Sequence, residues 1–273
     1  MKTWFITGTS KGFGRFWAEA ALERGDTVVA TARDLATLKP LAEKFGARAV
    51  CMALDVSDKR AVDKTIAEAH QRVGRFDVAI NNAGYGLFGM IEEVSEAEAR
   101  AQMETNFFGA LWVTQAMVPI MRAQKSGHIM QVSSIGGVHA FPGIGLYNAS
   151  KWALEAFSQS LAGEVKPFGI HVTLIEPTGY PTDWAGPSSV HSKPRAEYGH
   201  VRDGLEKWRA ANAAKNRAKP EATSAVVLKL ADMAEPPLRI FFGDGPLDMI
   251  KAEYKSRIET WDRVANLTHE ANG

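Results

Sequence analysis

The sequence predicts a doubly wound α/β fold, in which helices cover both faces of a parallel sheet. Three features of the 273 residues predict it: short apolar runs alternate with longer amphipathic ones, glycines stand where helices should end, and no repeat or low-complexity linker divides the chain. Near-continuous apolar runs are typical of strands that are buried on both faces. Their alternation with amphipathic helices is typical of βαβ units. A single domain over residues 1–273 is therefore the simplest organisation.

Six apolar runs rich in β-branched residues are the predicted strands: residues 4–7, 27–31, 49–54, 78–80, 128–133 and 171–175. The amphipathic stretches between them predict helices over residues 13–24, 59–73, 96–121 and 146–166. Four glycines stand where a left-handed residue commonly ends a helix: Gly25, Gly46, Gly74 and Gly169.

The regular pattern breaks after the sixth predicted strand. Residues 184 to about 221 contain Pro187, Pro194 and Pro220 among many polar residues. This composition predicts an irregular or short-helical insertion that serves as a substrate loop or lid. A last strand over 238–242 and a helix over about 246–268 are predicted to close the chain.

Charge and cysteine content limit the function classes. The 32 Lys and Arg residues oppose 31 Asp and Glu, a net charge of +1, which argues against a nucleic-acid partner because such proteins need a basic excess. Cys51 is the only cysteine, so no intrachain disulfide or Cys-rich metal site forms, and the seven histidines show no metal-ligand spacing. Without a long apolar run or a signal peptide, the sequence predicts a cytoplasmic protein with no membrane or metal partner.

A glycine-rich turn lies between the first predicted strand and the first helix, in the spacing Gly-x-x-x-Gly-x-Gly. Glycines let the backbone approach a pyrophosphate closely, and the N-terminus of the following helix offers N–H groups and positive potential. This spacing is neither the Gly-x-Gly-x-x-Gly fingerprint nor a P-loop, and a plain glycine turn is the alternative. The strand–turn–helix context favours a phosphate site with these residues: Gly8, Ser10, Lys11, Gly12, Phe13 and Gly14.

The end of the second predicted strand indicates which dinucleotide binds. NAD sites usually place an acidic residue there to hold the ribose 2′-hydroxyl, whereas an arginine accommodates a 2′-phosphate. The expected acid position is Ala32, followed by Arg33, whose guanidinium can bind two phosphate oxygens. Lys11 could add a second cation, although Asp34 stands next to Arg33. NADP(H) is favoured, and NAD(H) is the alternative.

Tyr147 and Lys151 are four residues apart at the start of a predicted helix, and therefore lie on one face of it. A free tyrosine has a pKa of about 10, and a nearby ammonium lowers that pKa and suits proton exchange with an alcohol or carbonyl oxygen. A half-buried aromatic beside a solvated lysine is the alternative. Ser134 ends a predicted strand 13 residues earlier, at the edge of the sheet where ligands bind in such folds.

Together these residues resemble the short-chain dehydrogenase/reductase family, in its single-domain subgroup. The matching positions follow the family's order and spacing: Thr7, Gly8, Gly12, Gly14, Asp55, Val56, Asn81, Asn82, Ala83, Gly84, Asn106, Ser134, Tyr147 and Lys151. The resemblance implies a Rossmann-type three-layer sandwich with about seven parallel strands. It also implies an NADP-preferring carbonyl reductase, which moves a hydride between nicotinamide and a carbon that bears oxygen.

The resemblance also implies a role for each catalytic residue. Tyr147 would exchange the proton, and Ser134 would hydrogen-bond the substrate oxygen. Lys151 would lower the pKa of Tyr147 and bind the nicotinamide ribose, while Asn106 would hold a water that relays protons to Lys151. The implied cofactor contacts beyond the glycine loop and Arg33 are Asp55, Val56, Asn82, Ala83, Gly84, Tyr147, Lys151, Pro177, Gly179 and Thr182.

The loop after the sixth strand departs from the family pattern of Pro-Gly followed by a threonine. Pro177 and Thr182 keep the spacing, but Thr178 replaces the first glycine and Pro181 stiffens the turn. The path of this loop beside the nicotinamide is therefore open.

The substrate pocket is expected to be aromatic and mostly apolar, as suits a ketone or secondary alcohol with bulky apolar substituents. The candidate lining residues are Tyr85, His139, Phe141, Leu146, Tyr180 and Trp184. A non-catalytic NADP-binding sensor or scaffold on the same fold is the alternative function. A homodimer or homotetramer is expected, because family members usually pair through the two long helices predicted at 96–121 and 146–166.

Overall fold

The computed structural model describes residues 1–180, 184, 186, 188–213, 219–243 and 246–271. Its strands are β1 (Thr3–Thr7), β2 (Thr27–Ala32), β3 (Ala49–Ala53), β4 (Val78–Asn81), β5 (Leu87–Phe88), β6 (Gly127–Val132), β7 (Ile170–Pro177), β8 (Val190–His191) and β9 (Arg239–Phe242). Seven of them form one parallel sheet in the order β3-β2-β1-β4-β6-β7-β9. The order reverses direction at β1 and β4, so the predicted doubly wound fold is confirmed.

The helices are α1 (Gly12–Glu23), α2 (Lys39–Phe45), α3 (Lys59–Val73), α4 (Glu96–Met103), α5 (Gly109–Gln124), α6 (Gly145–Val165), α7 (Gly199–Ala213), α8 (Thr223–Asp232), α9 (Pro246–Arg263) and α10 (Ala265–Glu270). They form layers on both faces of the sheet, because alternate strand residues point to opposite faces. Trp4 and Ile6 of β1 belong to a core shared with α1 and α8. Phe5, between them, belongs to a second core shared with α3, α5 and α6.

Three predicted segments differ in detail from the structure. The predicted helix over 96–121 is interrupted by a π-helical turn, Glu104–Phe108, that separates α4 from α5. The predicted C-terminal helix over 246–268 is two helices, since Val264 between α9 and α10 has a non-helical ψ of 16°. Within the predicted insertion over 184–221, α7 follows a short strand, β8, which pairs with β5 in a separate parallel sheet.

Among the described residues, none of the helices combines the length and the apolar character needed to cross a lipid bilayer. The same part of the chain contains no group of three or more His, Cys, Asp or Glu side chains arranged to hold a metal ion.

Candidate active site

The glycine loop joins β1 to α1 with little space for side chains. Gly8 and Gly12 have positive φ angles of 70° and 61°, a conformation that glycine adopts readily and other residues rarely. A Cβ atom on Gly14 would lie 2.5 Å from the backbone oxygen of Gly8 and 2.5 Å from Nδ2 of Asn82. The three glycines therefore allow a tight turn at the N-terminus of α1, where a phosphate can come close to the backbone.

The end of β4 holds this loop in position. The hydroxyl oxygen Oγ1 of Thr7 accepts hydrogen bonds from the backbone N–H groups of Asn82 and Ala83, both at 3.0 Å. Nδ2 of Asn82 donates to the backbone oxygens of Thr7 at 2.9 Å and Gly8 at 3.0 Å. Asn82, predicted to bind cofactor, thus braces the glycine loop. Sequence reasoning assigned no role to Thr7 beyond its place in the motif, although a hydroxyl directly before the first glycine is the signal.

The predicted cofactor cations lie at the same edge of the sheet. Arg33 follows β2 and is exposed, and Lys11 is the exposed N-cap residue of α1. Oδ1 of Asp34 accepts the backbone N–H of Ala36 at 2.9 Å and so caps the next short helical turn. The carboxylate next to Arg33 is therefore engaged by the protein backbone.

The two residues predicted for the adenine side of the cofactor differ in their exposure. Asp55 is exposed and accepts hydrogen bonds from the backbone N–H and the hydroxyl of Ser57, at 3.0 and 2.7 Å. Val56 is buried, and a Cβ atom on Gly109 of α5 would lie only 2.6 Å from its Cγ2. Val56 therefore packs closely against the start of α5.

The structure brings the predicted catalytic residues together at the carboxyl end of β6. Tyr147 and Lys151 lie on successive turns of α6 and are 5% and 6% exposed. Ser134, which follows β6, lies close enough to the hydroxyl of Tyr147 to favour its charged form. Nζ of Lys151 lies 5.8 Å from the centre of the Tyr147 ring and donates to the backbone oxygen of Val132 at 2.8 Å. A proton-exchanging group, a hydrogen-bond donor and an ammonium therefore share one small buried volume.

The pKa values in this group follow burial more than mutual attraction. Burial raises the pKa of Tyr147 to about 12, although the nearby Ser134 favours the phenolate. Burial lowers the pKa of Lys151 to about 8, opposed by the negative charge of Glu155. That Lys151 lowers the pKa of Tyr147 stays a prediction, and in the structure the removal of the phenol from water sets the direction of the shift.

Asn106 lies in the π-helical turn between α4 and α5, a kind of irregularity that is frequent at functional sites. Its Oδ1 accepts the backbone N–H of Tyr85 at 3.1 Å, and its Nδ2 donates to the oxygen of Tyr85 at 3.1 Å and to Oγ of Ser150 at 3.2 Å. A Cβ atom on Gly84 would lie 3.1 Å from Oδ1 of Asn106 and 3.7 Å from Nζ of Lys151. Asn106 and Lys151 thus meet at Gly84.

Ser150 is a site residue that sequence reasoning missed. Its hydroxyl donates to the backbone oxygen of Tyr147 at 2.7 Å and accepts from Asn106. It therefore links the π-helical turn to the first turns of α6. Its place inside the motif Tyr-x-x-x-Lys gave no signal, because serine in a helix often bonds its own backbone.

The predicted substrate-pocket residues lie in three places. The ring of Trp184 lies 4.8 Å from that of Tyr147 and 5.3 Å from that of Phe88, measured between ring centres. Leu146, half-buried, precedes Tyr147 on α6. Tyr85 is half-buried and is held through its backbone by Asn106. These three residues lie beside the catalytic group.

The other three candidates make ring and ion-pair contacts with residues other than Tyr147. Tyr180 packs on Phe13 of the glycine loop, with ring centres 5.0 Å apart. His139 and Phe141 contact each other at 4.6 Å, and Nδ1 of His139 is 3.7 Å from a carboxylate oxygen of Glu253 on α9. The structure therefore places Tyr180 beside the phosphate loop and the His139–Phe141 pair against the C-terminal helix.

The nicotinamide-side loop is described up to Tyr180. Pro177 ends β7 and is buried, whereas Gly179 is exposed. The backbone N–H of Thr178 donates to the oxygen of Phe242 at 3.0 Å, so the start of the loop is hydrogen-bonded to the edge strand β9. The predicted contact residue Thr182 and its neighbour Pro181 lie outside the described residues.

Fold and site together define a nicotinamide-dependent oxidoreductase. The chain belongs to the short-chain dehydrogenase/reductase family, whose model, described as short chain dehydrogenase, matches residues 2–192. The chain is 43% identical over 247 residues to the oxidoreductase BOA17 of Botryotinia fuckeliana, with 89% of each chain covered. It is 34% identical over 239 residues to the 3-ketodihydrosphingosine reductase of Bacteroides thetaiotaomicron, with 87% of this chain and 86% of that protein covered.

Solved structures of short-chain dehydrogenases have the same fold as this chain. A short-chain dehydrogenase from Streptomyces avermitilis superposes with a TM-score of 0.90 at 34% identity, covering 99% of this chain and 100% of that one. A metagenomic short-chain oxidoreductase in complex with NADP has a TM-score of 0.71 at 26% identity, with 88% and 96% covered. A Burkholderia phymatum short-chain dehydrogenase/reductase in complex with NAD has the same fold, with a TM-score of 0.81 at 22% identity and 95% of each chain covered.

Proposed function

We propose that the protein is an NADP(H)-dependent ketoreductase or alcohol dehydrogenase in which Tyr147 is the proton donor and acceptor. The observation that carries this proposal is the buried group of Ser134, Tyr147 and Lys151 at the carboxyl end of β6. Their hydroxyl and ammonium groups meet the needs of carbonyl reduction, which requires a proton for the oxygen and charge stabilisation beside it.

Each residue of the group has one part in the reaction. In the reductive direction the phenol of Tyr147 gives its proton to the carbonyl oxygen, while the hydroxyl of Ser134 donates a hydrogen bond to that same oxygen. The ammonium of Lys151 stabilises the phenolate that remains and contacts the nicotinamide ribose. Asn106 holds a water that passes a proton on toward Lys151. A bound nicotinamide supplies or accepts the hydride.

The residues at the glycine loop fit a dinucleotide. A Cβ atom on Gly14 would lie 2.5 Å from the backbone oxygen of Gly8, so the glycine keeps the backbone of this turn accessible to a phosphate. The N-terminus of α1 can therefore receive a pyrophosphate. Arg33 and Lys11 favour NADP(H), because both are exposed cations while Asp34 is bonded to Ala36. NAD(H) is the alternative cofactor.

We propose a ketone or secondary alcohol with apolar substituents as the substrate. Trp184 packs on Tyr147 itself. Leu146 precedes Tyr147 on α6, and the backbone of Tyr85 is hydrogen-bonded to Asn106. An apolar wall next to the proton donor selects substrates whose carbonyl carbon carries apolar groups. The similarity to a reductase of a 3-keto compound supports the same class of reaction.

The test is to measure NADPH and NADH oxidation with a panel of aromatic, aliphatic and cyclic ketones. NADPH-dependent turnover is expected. Arg33→Ala should weaken the binding of NADPH by roughly 10- to 100-fold and leave the binding of NADH nearly unchanged. The reason is that hydrogen bonds between charged groups contribute about 1.5–3 kcal/mol. Arg72→Ala, on the exposed end of α3, is the matched control.

Other results would change the proposal in different ways. Equal use of NADH by the unaltered protein would contradict the cofactor preference. Tight NADPH binding without turnover on any ketone would favour a non-catalytic NADP-binding sensor or scaffold.

We also propose that the protein is a cytoplasmic homodimer or homotetramer that pairs through α5 and α6. Partly buried aromatic rings cluster there: Phe107 contacts Phe157 at 6.2 Å, and Phe108 stacks on Trp112 at 5.6 Å. Such clusters at a helix surface are typical of subunit interfaces. Sedimentation of the protein, compared with a Trp112→Glu variant, tests this pairing.

A further inference from the structure

A second buried charged cluster lies behind Lys151, outside the catalytic group. Glu155 is one helical turn beyond Lys151 on α6, and Glu176 is the penultimate residue of β7. Their side chains are 5% and 1% exposed, which is unusual for two carboxyl groups. Buried ionisable groups must be paired or neutralised, so this cluster requires an explanation.

Within the part of the chain that the structure describes, one cation contacts both carboxyl groups, and it comes from the edge strand β9. Nε of Arg239 lies 3.0 Å from Oε2 of Glu155 and 3.6 Å from Oε1 of Glu176. Its Nη2 donates to Oε1 of Gln159 at 2.8 Å. Because Arg239 is 36% exposed, its charge is shared with solvent and one guanidinium does not neutralise two carboxylates.

A proton on one of the two carboxyl groups accounts for the negative charge that Arg239 does not neutralise. Among the described residues, neither Oε1 of Glu155 nor Oε1 of Glu176 has a donor as its hydrogen-bond partner. Both carboxyl groups nevertheless lie beside the same Nε of Arg239 and so share one buried site. Because two carboxylates that share a buried site repel each other, one member of the pair carries a proton.

Glu176 is the member that keeps the proton. Burial and the charge of Glu155 raise the pKa of Glu176 to about 8, against the opposing effect of Arg239. The pKa of Glu155 is also raised by burial, but the Ser133 hydroxyl, Arg239 and Glu176 all favour its charged form. Glu155 is therefore the member of the pair whose charged form its neighbours favour.

The side chain of Glu155 lies beside that of Lys151, the lysine predicted to be catalytic. A Cβ atom on Gly137 would lie 3.1 Å from Cγ of Glu155, 3.3 Å from Cβ of Lys151 and 2.6 Å from Oγ of Ser133, so the three side chains converge there. The negative charge of Glu155 is the one influence that raises the pKa of Lys151 against burial.

We propose that Glu155, which shares Arg239 with the buried carboxyl group of Glu176, is a positioning residue that keeps the buried ammonium of Lys151 charged. The inference rests on the proposed function, because it concerns the lysine assigned to that reaction. Glu155 acts through Lys151 and touches neither substrate nor cofactor. The groups that face it are Lys151 and Gln159 of α6, Ser133 after β6, Glu176 of β7 and Arg239 of β9.

The direct test measures the charge of Lys151 without turnover. Protein with carbon-13 at the lysine Cε positions is titrated by NMR, and the Lys151 signal is assigned by its loss in Lys151→Arg. Glu155→Gln should lower the pKa of Lys151 by roughly one unit or more, as loss of a nearby opposite charge does. Glu176→Gln should leave that pKa within about 0.3 units, because a neutral amide replaces a carboxyl group that is neutral when it carries its proton.

Glu164→Gln removes an exposed carboxylate from the same helix and is the matched control. The proposal is overturned if Glu155→Gln behaves like Glu164→Gln, or if Glu176→Gln lowers the pKa of Lys151 as much as Glu155→Gln does. Should Glu155→Gln not fold, infrared spectroscopy of the unaltered protein decides. A protonated-carboxyl band at neutral pH that disappears in Glu176→Gln supports the pair, and its absence from the unaltered protein refutes it.

Activity gives a second readout. In Glu155→Gln, the fall of ketone reduction at high pH should begin at lower pH than in the unaltered protein, since Lys151 loses its proton earlier. A complete lack of turnover in the unaltered protein would count against the proposed function alone. The NMR titration would still decide the role of Glu155.

Discussion

The two sides of the crevice at the carboxyl edge of the sheet are built from different kinds of contact. On the side of β1, β2 and β4, the glycine loop is held by uncharged groups: Thr7, Asn82 and closely packed backbone. On the side of β6, β7 and β9, the buried groups are titratable: Tyr147, Lys151 and the pair Glu155 and Glu176.

This difference separates binding from chemistry. Neutral hydrogen bonds and steric fit do not change between pH 5 and pH 9, so the glycine loop should keep its shape over this interval. Lys151 and Glu176 change charge in that interval, because burial has moved both of their pKa values to about 8. On the proposed function, a fixed cradle therefore lies beside a titratable proton-transfer group, and variants on the two sides should affect different measurements.

The largest expected effect comes from Tyr147→Phe, which removes the proton donor and leaves the ring. We expect kcat for ketone reduction to fall by roughly 100- to 10,000-fold, the usual contribution of general acid catalysis. The Kd for NADPH should stay within about twofold, because the cradle is on the other side of the crevice. Stopped-flow turnover and fluorescence titration measure the two quantities.

Tyr254→Phe is the control for this variant, since Tyr254 is 44% exposed on α9. Near-normal turnover of Tyr147→Phe would mean that the proton comes from another group, and the assignment of chemistry to this side would be wrong.

Gly14→Ala should weaken NADPH binding more than it lowers kcat, the reverse of what is expected for Tyr147→Phe. Its Cβ would lie 2.5 Å from the oxygen of Gly8, so the loop must shift and lose its fit to a pyrophosphate. We expect Kd for NADPH to rise by roughly 5- to 150-fold, which corresponds to an overpacking energy of about 1–3 kcal/mol. The kcat at saturating NADPH should fall far less.

Gly163→Ala serves as the matched control, because nothing lies within 4 Å of a Cβ at this position on α6. If both alanine variants bind NADPH equally well, close packing at Gly14 does not shape the cradle.

His128 extends the comparison to stability, because it places a third kind of titratable group on the β6–β7 side. It is buried, its pKa is lowered to about 3 by burial, and its Nε2 lies 2.9 Å from Oγ1 of Thr173. The ring is neutral in the fold and titrates at about 6.5 when unfolded. The contribution of neutral His128 to the free energy of unfolding is therefore complete above pH 6.5. It is lost as the pH falls from 6.5 toward 3, and the loss is about 2 kcal/mol at pH 5.

His128→Gln keeps an N–H donor but cannot titrate in this range. Urea unfolding at pH 7 and pH 5 should show a smaller acid loss in this variant than in the unaltered protein. His171→Gln changes the exposed register partner on β7 and should keep the full loss. Equal acid sensitivity of all three proteins would remove His128 as the cause.

Local patterns predicted much of the fold and the chemistry. The apolar runs predicted six strands of the main sheet, and the glycine loop, Ser134 and the pair Tyr147 and Lys151 lie at one edge, as expected. These signals are short-range, because each depends on residues within one strand, turn or helix.

Long-range contacts were not predictable in this way. Thr7 contacts Asn82 across 75 residues, and Arg239 contacts Glu155 across 84, and no local pattern pairs one residue with the other in either case. The π-helical turn at Asn106 was also missed, since a period of 3.6 fits the apolar residues on both sides of it. The split of the six substrate-pocket candidates into three places has the same origin, because loop residues are positioned by contacts with distant elements.

The smallest expected effect comes from Trp184→Ala, which tests the substrate face of the β6–β7 side. Trp184 packs on Tyr147 and Phe88, and a Cβ atom on Gly86 would lie 2.9 Å from its ring. Loss of this wall should raise KM for bulky apolar ketones on the order of tenfold and change their ranking, with Kd for NADPH unchanged. Trp261→Ala, 65% exposed on α9, is the matched control. A rise in the Kd for NADPH with unchanged ketone ranking would place Trp184 with the cofactor, and the boundary between the two sides would then run through α6.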